Sequence, residues 1–344
     1  MELVKDIRIK HFKSLEDVEV KGCRRYNLFV GRPNVGKSNL LEALGLLGLP
    51  YVGVNKSRLG DWVRGGEVPS LFWNGDVSQP VEVEVFCGDK PQDHKDDAAQ
   101  GEVPATPAYR LRMEYRGSEA LSLKLWENGR ETAYEVADAR MAKVPEQLPL
   151  FKPYRFEGLR MSHGASAPFL FPLSGDNLMN IVQRNERLRI ELLEVLGHYG
   201  LSLTFDTGTQ ELKFIKDLGH GMSFIVPFVS IADTLKRLVY YKAAVYSNSG
   251  SVLLLEEPEA HAYPPYIVNM IWSIIDSPQN QYFITTHSPY VVNEFLENKT
   301  DVALFIIDYR EGRTVVRPLS DEEIQQVYEY GIDLFFNNEL FLED

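Results

Sequence analysis

The segment at residues 31–38 constrains this sequence most, because eight consecutive residues fit a phosphate-binding pattern without a mismatch. It reads Gly-Arg-Pro-Asn-Val-Gly-Lys-Ser, which matches Gly-x-x-x-x-Gly-Lys-Ser/Thr. The apolar run at 26–30 before it predicts a strand, and residues 39–44 after it predict a helix. In that context the backbone N–H groups converge on one anion at the positive end of the helix. The segment therefore predicts a nucleoside-triphosphate site.

The residue types in this segment each have a chemical reason. Gly31 and Gly36 allow the backbone to curl so that several N–H groups face the phosphates. Lys37 would reach the β- and γ-phosphates, and the Ser38 hydroxyl would ligate the Mg²⁺ that bridges them. The predicted ATP-binding residues here are Gly31, Asn34, Gly36, Lys37, Ser38 and Asn39. Lys37 is also a predicted catalytic residue, and Ser38 a predicted metal ligand.

Composition narrows the class of protein and of partner. The chain of 344 residues is long enough for about two domains, or for one domain with a large insertion. The net charge of −13 argues against a broad nucleic-acid-binding surface, although it leaves a local basic groove open. Cys23 and Cys87 are too few for a disulfide framework, and no apolar run reaches the length of a membrane span. We therefore expect a cytoplasmic protein without a membrane partner.

Period-2 alternation of apolar residues predicts strands in the middle of the chain. They lie at residues 81–86, 109–115 and 121–126, and residues 127–130 supply a turn. Between the first two strands, residues 88–108 are rich in Asp, Lys, Pro and Ala. We expect a solvated loop there, and the alternative interpretation is a metal site.

The following third of the chain changes to a helical pattern. Residues 177–198 predict one or two amphipathic helices, and residues 201–215 predict a hairpin. Three arginines in the helical stretch, Arg184, Arg187 and Arg189, form either an exposed helix face or a contact for a polyanion or partner. From residue 231 onward the pattern alternates between strand and helix, and Ser320 to Glu323 predicts a capping box.

An acidic strand end supplies the second part of the predicted nucleotide site. Residues 251–255 predict a buried strand, and Glu256 and Glu257 follow it directly. Ligands collect at the carboxyl ends of parallel strands, so these acids should face the phosphates. We expect Glu256 to hold the Mg²⁺ shell and Glu257 to orient the attacking water as general base.

A second polar strand end carries one histidine. Residues 281–285 predict another buried strand, which continues into Thr286 and His287. His287 follows Glu257 by 30 positions, which is room for one helix and a return strand. A βαβ unit of that length would place the two residues side by side. We therefore expect His287 to be a catalytic residue that contacts the γ-phosphate.

Together these motifs resemble the ATP-binding-cassette (ABC) type of ATPase found in SMC-like and recombination-type proteins, within the wider AAA grouping. More closely, the chain is similar to the ATPases of the OLD (overcoming lysogenization defect) family. The residues that carry the resemblance are 9–15, 31–44, 254–261 and 285–289. It covers the two ends of the chain, roughly 1–49 and 228–309, and no motif covers the middle.

The resemblance implies an α/β P-loop NTPase of ABC type with a mixed sheet core. It also implies an antiparallel β prologue and insertion, a helical arm, and the cofactors ATP and Mg²⁺. We expect an N-terminal ATPase lobe at 1–155, a helical arm and hairpin insertion at 156–227, and a C-terminal ATPase lobe at 228–344.

The resemblance also implies that residues 229–237 are the signature segment, which caps the γ-phosphate bound by the other subunit. Ser230 would donate its hydroxyl, and the following helix its N-terminal dipole. The usual pair of glycines is replaced here by Ala232 and Asp233. A carboxylate repels a γ-phosphate, so we expect Asp233 to cap its own helix instead. The expected assembly is a homodimer or higher oligomer through the ATP sites, although the altered signature weakens the case for tight dimerisation.

The leading hypothesis is an ATPase that dimerises head to tail and transmits its ATP state to a partner. Its turnover can be slow under this hypothesis. The resemblance suggests a DNA-related or antiphage-defence role with a separate effector protein, either a nuclease or a toxin, and leaves nucleic acid binding open. The sequence lacks the Asp-x-Asp metal pair of the Toprim nuclease domain in OLD proteins. We therefore expect any DNA cleavage to come from another chain.

Two alternatives stay open at this point. One is an ATP-locked scaffold with negligible turnover, which the altered signature and the Glu at position 256 favour. The other is the ATP subunit of an ABC transporter, which the missing glycine pair of the signature disfavours.

Overall fold

A computed structural model describes residues 2–51, 59–65, 67–88, 106–117, 120–137, 140–141, 149–158, 167–209, 211–298 and 301–342. Most of the polar stretch 88–108 lies outside these residues, so both expectations for it stay predictions. Within the described residues, no helix is both long enough and apolar enough to cross a membrane.

The described residues form sixteen strands and eight α-helices. The strands are β1 (Val4–Phe12), β2 (Leu15–Val20), β3 (Tyr26–Val30), β4 (Val81–Cys87), β5 (Tyr109–Gly117), β6 (Ala120–Glu127), β7 (Arg130–Ala137), β8 (Arg140–Met141), β9 (Phe151–Tyr154), β10 (Leu201–Asp206), β11 (Glu211–Gly219), β12 (Met222–Pro227), β13 (Val252–Glu256), β14 (Gln281–Thr285), β15 (Val302–Arg310) and β16 (Arg313–Pro318). The α-helices are α1 (Lys37–Gly45), α2 (Leu59–Trp62), α3 (Leu178–Arg184), α4 (Glu186–Gly197), α5 (Asp233–Ser247), α6 (Pro264–Ile275), α7 (Pro289–Glu297) and α8 (Asp321–Glu329).

The central sheet brings the carboxyl ends of its parallel strands to one edge. Its order is β16-β15-β3-β14-β13-β9, and all neighbours are parallel except β15 and β16. Every residue of β3, β13 and β14 is buried, as in strands that are covered on both faces. The register pairs Thr285 with Glu256 on one side and with Phe29 on the other. The three strands therefore end at the same level, where the segment 31–38 begins.

Strand β3 separates two hydrophobic cores. Leu28 packs in a cluster with apolar residues of α3 to α7, whereas Phe29 packs in a cluster with α1 and the strands of a second sheet. Adjacent strand residues point to opposite faces, so one strand contributes to both cores. Burial of each large apolar side chain stabilises the fold by roughly 1.5–3 kcal/mol, which holds α1 firmly on the sheet.

The second sheet is antiparallel and joins the prologue to the insertion. Its order is β2-β1-β4-β5-β6-β7-β8, with β1 paired to β2 on one side and to β4 on the other. Strands β4, β5 and β6 confirm the three strands predicted from alternation. The turn predicted at 127–130 is confirmed too, because Asn128 and Gly129 have φ of 49° and 81° between β6 and β7.

Helices α3 and α4 confirm the helical prediction for 177–198, and they are divided at Asn185. The Asn185 side chain accepts a 2.9 Å bond from the Leu188 N–H and so caps α4. Arg187 pairs with Glu191 and Asp276 of its own chain, which favours the helix-face interpretation for this arginine. The hairpin β10–β11 is confirmed, and β12 extends it to three strands.

The two strands that flank the predicted arm are neighbours in the central sheet. Strand β9 lies before the arm and pairs with β13, which lies after it. The division at 155/156 and 227/228 itself stays a prediction.

The capping box at the last helix is confirmed, because the Ser320 hydroxyl accepts the Glu323 N–H at 3.2 Å and the Glu323 carboxylate accepts the Ser320 N–H at 2.8 Å.

Candidate functional site

Two glycines shape the loop between β3 and α1. Gly36 stands at the N-cap of α1 with φ of 104°, and Gly31 has φ of 153°. A Cβ on Gly36 would lie 2.1 Å from the Thr314 hydroxyl oxygen, and one on Gly31 would lie 2.2 Å from the Ile307 carbonyl oxygen. The loop therefore curls so closely against β15 and β16 that only glycine fits at both positions.

Lys37, the first residue of α1, is folded back into the loop. Its Nζ donates to the carbonyl oxygens of Gly31 at 2.8 Å and Arg32 at 2.7 Å. Burial lowers the pKa of Lys37 to about 8, although the charges of Glu257 and Glu259 act in the opposite direction. Carbonyl oxygens are weaker partners for an ammonium group than phosphate oxygens are, so Lys37 is free to exchange them for an anion.

A cavity of about 340 Å³ opens beside this loop. It is lined by Pro33, Asn34, Gly36, Lys37, Ser38, Asn39, Arg64, Glu257 and His287. Seven of these residues are among those predicted from the sequence, and the sheet edge has brought them together from three separate segments. A larger cavity of about 560 Å³ lies against β6 and β7 and holds none of the predicted site residues.

Glu257 and His287 are neighbours, as the predicted βαβ unit requires. Glu257 follows β13 with φ of 40°, and its N–H donates to the Thr285 carbonyl oxygen at 3.1 Å. His287 Nε2 lies 3.3 Å from Glu257 Oε1. This hydrogen bond is the main reason that the pKa of Glu257 is below its ordinary value. Glu257 is therefore a charged carboxylate at neutral pH, as a group that orients water must be.

Glu259 anchors the loop that carries His287. One carboxylate oxygen accepts the Thr286 hydroxyl at 2.6 Å and the His287 N–H at 2.9 Å. Burial raises the pKa of Glu259. Its other carboxylate oxygen is buried and has no hydrogen-bond partner among the residues that the structure describes. The sequence reasoning gave Glu259 no role, and its position next to the acidic pair was the one available signal.

Glu256 does not line the cavity, unlike Glu257. Its Oε1 accepts a 2.7 Å bond from Arg64 Nη1, and its Oε2 lies 3.9 Å from Arg155 Nε. The expected role of Glu256 at Mg²⁺ therefore stays a prediction. Arg64 lies in a segment without a motif, so sequence reasoning missed both its place at the cavity and its bond to Glu256.

Ser230 is exposed and does not line the cavity of its own chain. It ends the 3-10 turn Phe228–Ser230, just before α5. The expectation that Asp233 caps α5 is wrong, because Ala232 holds the N-cap conformation and Asp233 is already helical. From the first turn, the Asp233 carboxylate reaches Lys236 at 3.4 Å and Arg237 at 3.8 Å.

Side chains from distant segments support the loop from behind. The Ser14 and Thr314 hydroxyl oxygens are 2.7 Å apart, and the Thr314 hydroxyl also donates to the Val35 carbonyl oxygen at 2.9 Å. The Asn39 amide donates to the Ser14 hydroxyl at 2.8 Å. The predicted ATP contact of Asn39 stays a prediction, since its amide serves this support.

The residues present fit a triphosphate with Mg²⁺. Lys37 is buried and donates to carbonyl oxygens, and the loop leaves no room for a Cβ at Gly31 or Gly36. Both features suit the binding of a polyanion. Within the described residues, no group of three or more His, Cys, Asp or Glu could hold a metal ion. Mg²⁺ needs no such cage, because it commonly takes one or two protein oxygens together with phosphates and waters. Ser38 lines the cavity, and both Ser38 and Glu256 carry side-chain oxygens of the type that Mg²⁺ takes.

Solved structures show the same fold. The chain is similar to an SMC head bound to the C-winged helix domain of ScpA, with a TM-score of 0.54, 15% identity, and coverage of 93% of this chain and 98% of that chain. It is also similar to an SMC head domain with an extended coiled coil bound to the C-terminal domain of ScpA, derived from Pyrococcus furiosus. There the TM-score is 0.50 and the identity 13%, with coverage of 96% and 99%. The fold is thus that of an ABC-type P-loop ATPase head, as the sequence predicted.

Sequence comparisons agree with this fold. A curated relative named ATP/GTP phosphatase, from Helicobacter pylori, is 22% identical over 386 residues, which span 97% of this chain and all of that protein. A family described as "AAA domain, putative AbiEii toxin, Type IV TA system" matches residues 122–293, which include Glu257 and His287 and make up half of the chain. The chain therefore belongs to this family of AAA domains.

Proposed function

We propose that this protein binds ATP with Mg²⁺ and hydrolyses it. The observation that carries the proposal is the shared cavity: the carboxylate of Glu257, the imidazole of His287 and the ammonium-bearing loop at Lys37 all line it. Family membership and the name of the Helicobacter pylori relative support an activity of this kind.

The position of each group supports a catalytic role for it in this proposal. Lys37 exchanges its two carbonyl partners for phosphate oxygens, and the loop N–H groups hold the same oxygens. Glu257 accepts a proton from the attacking water, because its lowered pKa keeps it ionised. His287 holds Glu257 and would contact the γ-phosphate. The Ser38 hydroxyl and Glu256 would hold Mg²⁺, whose charge would offset that of the phosphates.

A second copy completes the site in this proposal. Ser230 is exposed outside its own cavity, which suits a group that serves the cavity of a partner. Helix α5 begins three residues later, so its N-terminal dipole would add to the contact that Ser230 makes. We propose a head-to-tail homodimer or higher oligomer in which each Ser230 caps the triphosphate of the other chain.

The ATP state is then passed to a separate effector protein. The family description names a toxin, and the SMC heads were solved with a bound ScpA domain, which supports a partner protein. We propose a DNA-related or antiphage-defence role with a nuclease or toxin as effector, and an affinity with OLD-family ATPases. The net charge of −13 argues against a broad nucleic-acid-binding surface on this chain and leaves a local basic groove open.

Titration calorimetry with a non-hydrolysable ATP analogue tests the binding half of the proposal. The wild type should bind in the presence of Mg²⁺, and Lys37→Ala should lose at least about tenfold in affinity, as expected for a charge-assisted contact. Lys124→Ala is the matched control, since Lys124 pairs with Glu131 on the exposed antiparallel sheet. Equal affinity of the wild type and Lys37→Ala would refute the site.

Mixing two inactive variants tests the composite site. Lys37→Ala and Ser230→Ala should each abolish most phosphate release when assayed alone. A mixed dimer contains one site with both residues intact, so mixing should restore up to about a quarter of wild-type release, as random pairing predicts. A mixture no more active than its parts would contradict the head-to-tail arrangement.

A further inference from the structure

Arg64 has a fixed backbone next to the phosphate-binding helix. Its N–H donates to Glu42 Oε1 at 3.2 Å, and its carbonyl oxygen accepts from Lys13 Nζ at 2.5 Å. Lys13 also donates to Glu42, so both contacts converge on one carboxylate. Glu42 lies on α1 and its side chain is only 4% exposed. The Arg64 backbone is therefore tied to the helix that begins at Lys37.

The Arg64 side chain, in contrast, is 49% exposed and stands at the rim of the cavity. Its Nη1 lies 2.7 Å from Glu256 Oε1. A second arginine, Arg155, lies on the other side of Glu256, but its side chain is 8% exposed and also contacts Glu42 at 3.3 Å. Of the two arginines beside Glu256, Arg155 is held in the interior, and Arg64 can turn toward the cavity.

Among the described residues, the ion pairs that surround Glu256 join equal numbers of positive and negative side chains. The ion pairs join three cations to three carboxylates, namely Lys13, Arg64 and Arg155 with Glu42, Glu157 and Glu256. A Mg²⁺ ion near Glu256 would compete with Arg64 for the same carboxylate. A triphosphate in the cavity would at the same time offer Arg64 an anion that binds guanidinium groups strongly.

We propose that Arg64 is a positioning residue that exchanges partners when the Mg²⁺–nucleotide complex binds. Without the complex, Arg64 pairs with Glu256. With the complex, the guanidinium turns to the phosphate oxygens, and Glu256 becomes available to the metal while Arg155 stays beside it. This inference rests on the proposed ATP site, and it adds that both halves of the exchange require the metal.

The proposed exchange makes the contribution of Arg64 to nucleotide affinity depend on Mg²⁺. Without Mg²⁺, Glu256 has no metal to bind and stays paired with Arg64, so the arginine adds little to nucleotide affinity. With Mg²⁺, the arginine binds phosphate and its loss weakens binding by about tenfold, the scale of one charge-assisted hydrogen bond. A cation that always faces the phosphates would contribute equally under both conditions. A residue that only stabilises the fold would contribute to neither.

The first test titrates the full chain with methylanthraniloyl-labelled ATP in Mg²⁺ and in EDTA. Arg64→Gln should bind about tenfold more weakly than the wild type in Mg²⁺ and within twofold of it in EDTA. Arg310→Gln is the matched control, because Arg310 is also 49% exposed and pairs with a carboxylate, Asp308, at 2.9 Å. An equal loss in both conditions, or no loss in either, would overturn the exchange.

The wild type separates this inference from the ATP site itself. If the wild type binds labelled ATP no better than Lys37→Ala does, the proposed ATP site itself is wrong. If the wild type binds and Arg64→Gln behaves identically in Mg²⁺, only the exchange fails.

A second measurement needs no variant, so it holds even if Arg64→Gln does not fold. Phenylglyoxal modifies accessible arginines, and mass spectrometry reports each site. The labelled nucleotide with Mg²⁺ should change the modification rate of Arg64 several-fold, the nucleotide in EDTA should not, and Arg310 should be unaffected by either. An Arg64 modification rate that is the same with nucleotide in Mg²⁺ and with nucleotide in EDTA would overturn the proposal.

Discussion

His287 Nε2 lies 3.3 Å from Glu257 Oε1, across the ends of the adjacent parallel strands β14 and β13. The sheet register brings the two residues together, because Glu256 pairs with Thr285, Glu257 is the first residue after β13 and His287 is the second residue after β14. The same histidine is held from behind, where its N–H donates to the buried carboxylate of Glu259. The pair is thus positioned by backbone pairing at one end and by a buried acid at the other.

Loss of the His287 bond should move the pH dependence of turnover. The bond lowers the pKa of Glu257, so the carboxylate stays ionised to lower pH than usual. In His287→Ala this pKa rises, and phosphate release should then fall at a higher pH on the acid side. His287→Gln keeps a donor and should move the acid limb less. Acid limbs that coincide for the wild type and His287→Ala would contradict this account of Glu257.

ATP affinity should weaken in mildly basic solution. Burial lowers the pKa of Lys37 to about 8, and the neutral amine that forms above this pH cannot pair with phosphate. Binding of the ATP analogue should therefore be about tenfold weaker at pH 9 than at pH 7, since only about a tenth of Lys37 is then protonated. Calorimetry across this range measures the change. Affinity that is constant up to pH 9 would show that Lys37 keeps its charge.

Gly36→Ala should cost stability and nucleotide binding together. The new Cβ would lie 2.1 Å from the Thr314 hydroxyl oxygen, at a residue whose φ is 104°. Left-handed backbone alone costs roughly 1–2 kcal/mol for alanine, and the clash adds to it. Gly250→Ala is the control, because Gly250 has φ of 63° with nothing within 4 Å of its Cβ position. Urea unfolding should show the smaller loss for Gly250→Ala, and equal losses would mean that the loop tolerates the clash.

Glu42→Ala should be strongly destabilising. Its removal leaves Lys13 and Arg155 in the interior without the carboxylate that they share. Breaking a buried ion pair costs about 3–5 kcal/mol, whereas an exposed pair contributes about 0–1 kcal/mol. Glu339→Ala, which breaks the exposed pair with Arg32, supplies the comparison by denaturant unfolding. Similar losses for the two variants would show that the Glu42 cluster is not a stabilising unit.

The local motifs were predictable because their geometry is set within a few residues. The loop at 31–38 and the strand ends at Glu257 and His287 follow from apolar runs and from the length of a βαβ unit. Parallel strands end at one edge, so the sequence alone placed these groups together. The ABC-type head fold follows from the same order of elements.

Contacts that join distant segments were not predictable. Thr314 contacts Ser14, which lies 300 residues before it, and Arg64 contacts Glu256, which lies 192 residues after it. No periodicity in the sequence indicates contacts of this kind. Asp233 was misplaced for a different reason: its carboxylate suits an N-cap, yet Ala232 takes the cap conformation and leaves Asp233 one position inside the helix. Strand β12 was not predicted, although residues 222–227 are mostly apolar; nearly all of them are exposed.

Steady-state phosphate release by the wild type and by Glu257→Gln tests the central claim most directly. Both proteins should bind ATP, since Gln keeps the shape of the side chain and Lys37 is untouched. Removal of a general base commonly costs 10²–10⁴-fold, so release by Glu257→Gln should fall at least about 100-fold below the wild type. Wild-type release no greater than that of Glu257→Gln, with ATP bound to both, would contradict hydrolysis and favour an ATP-locked scaffold.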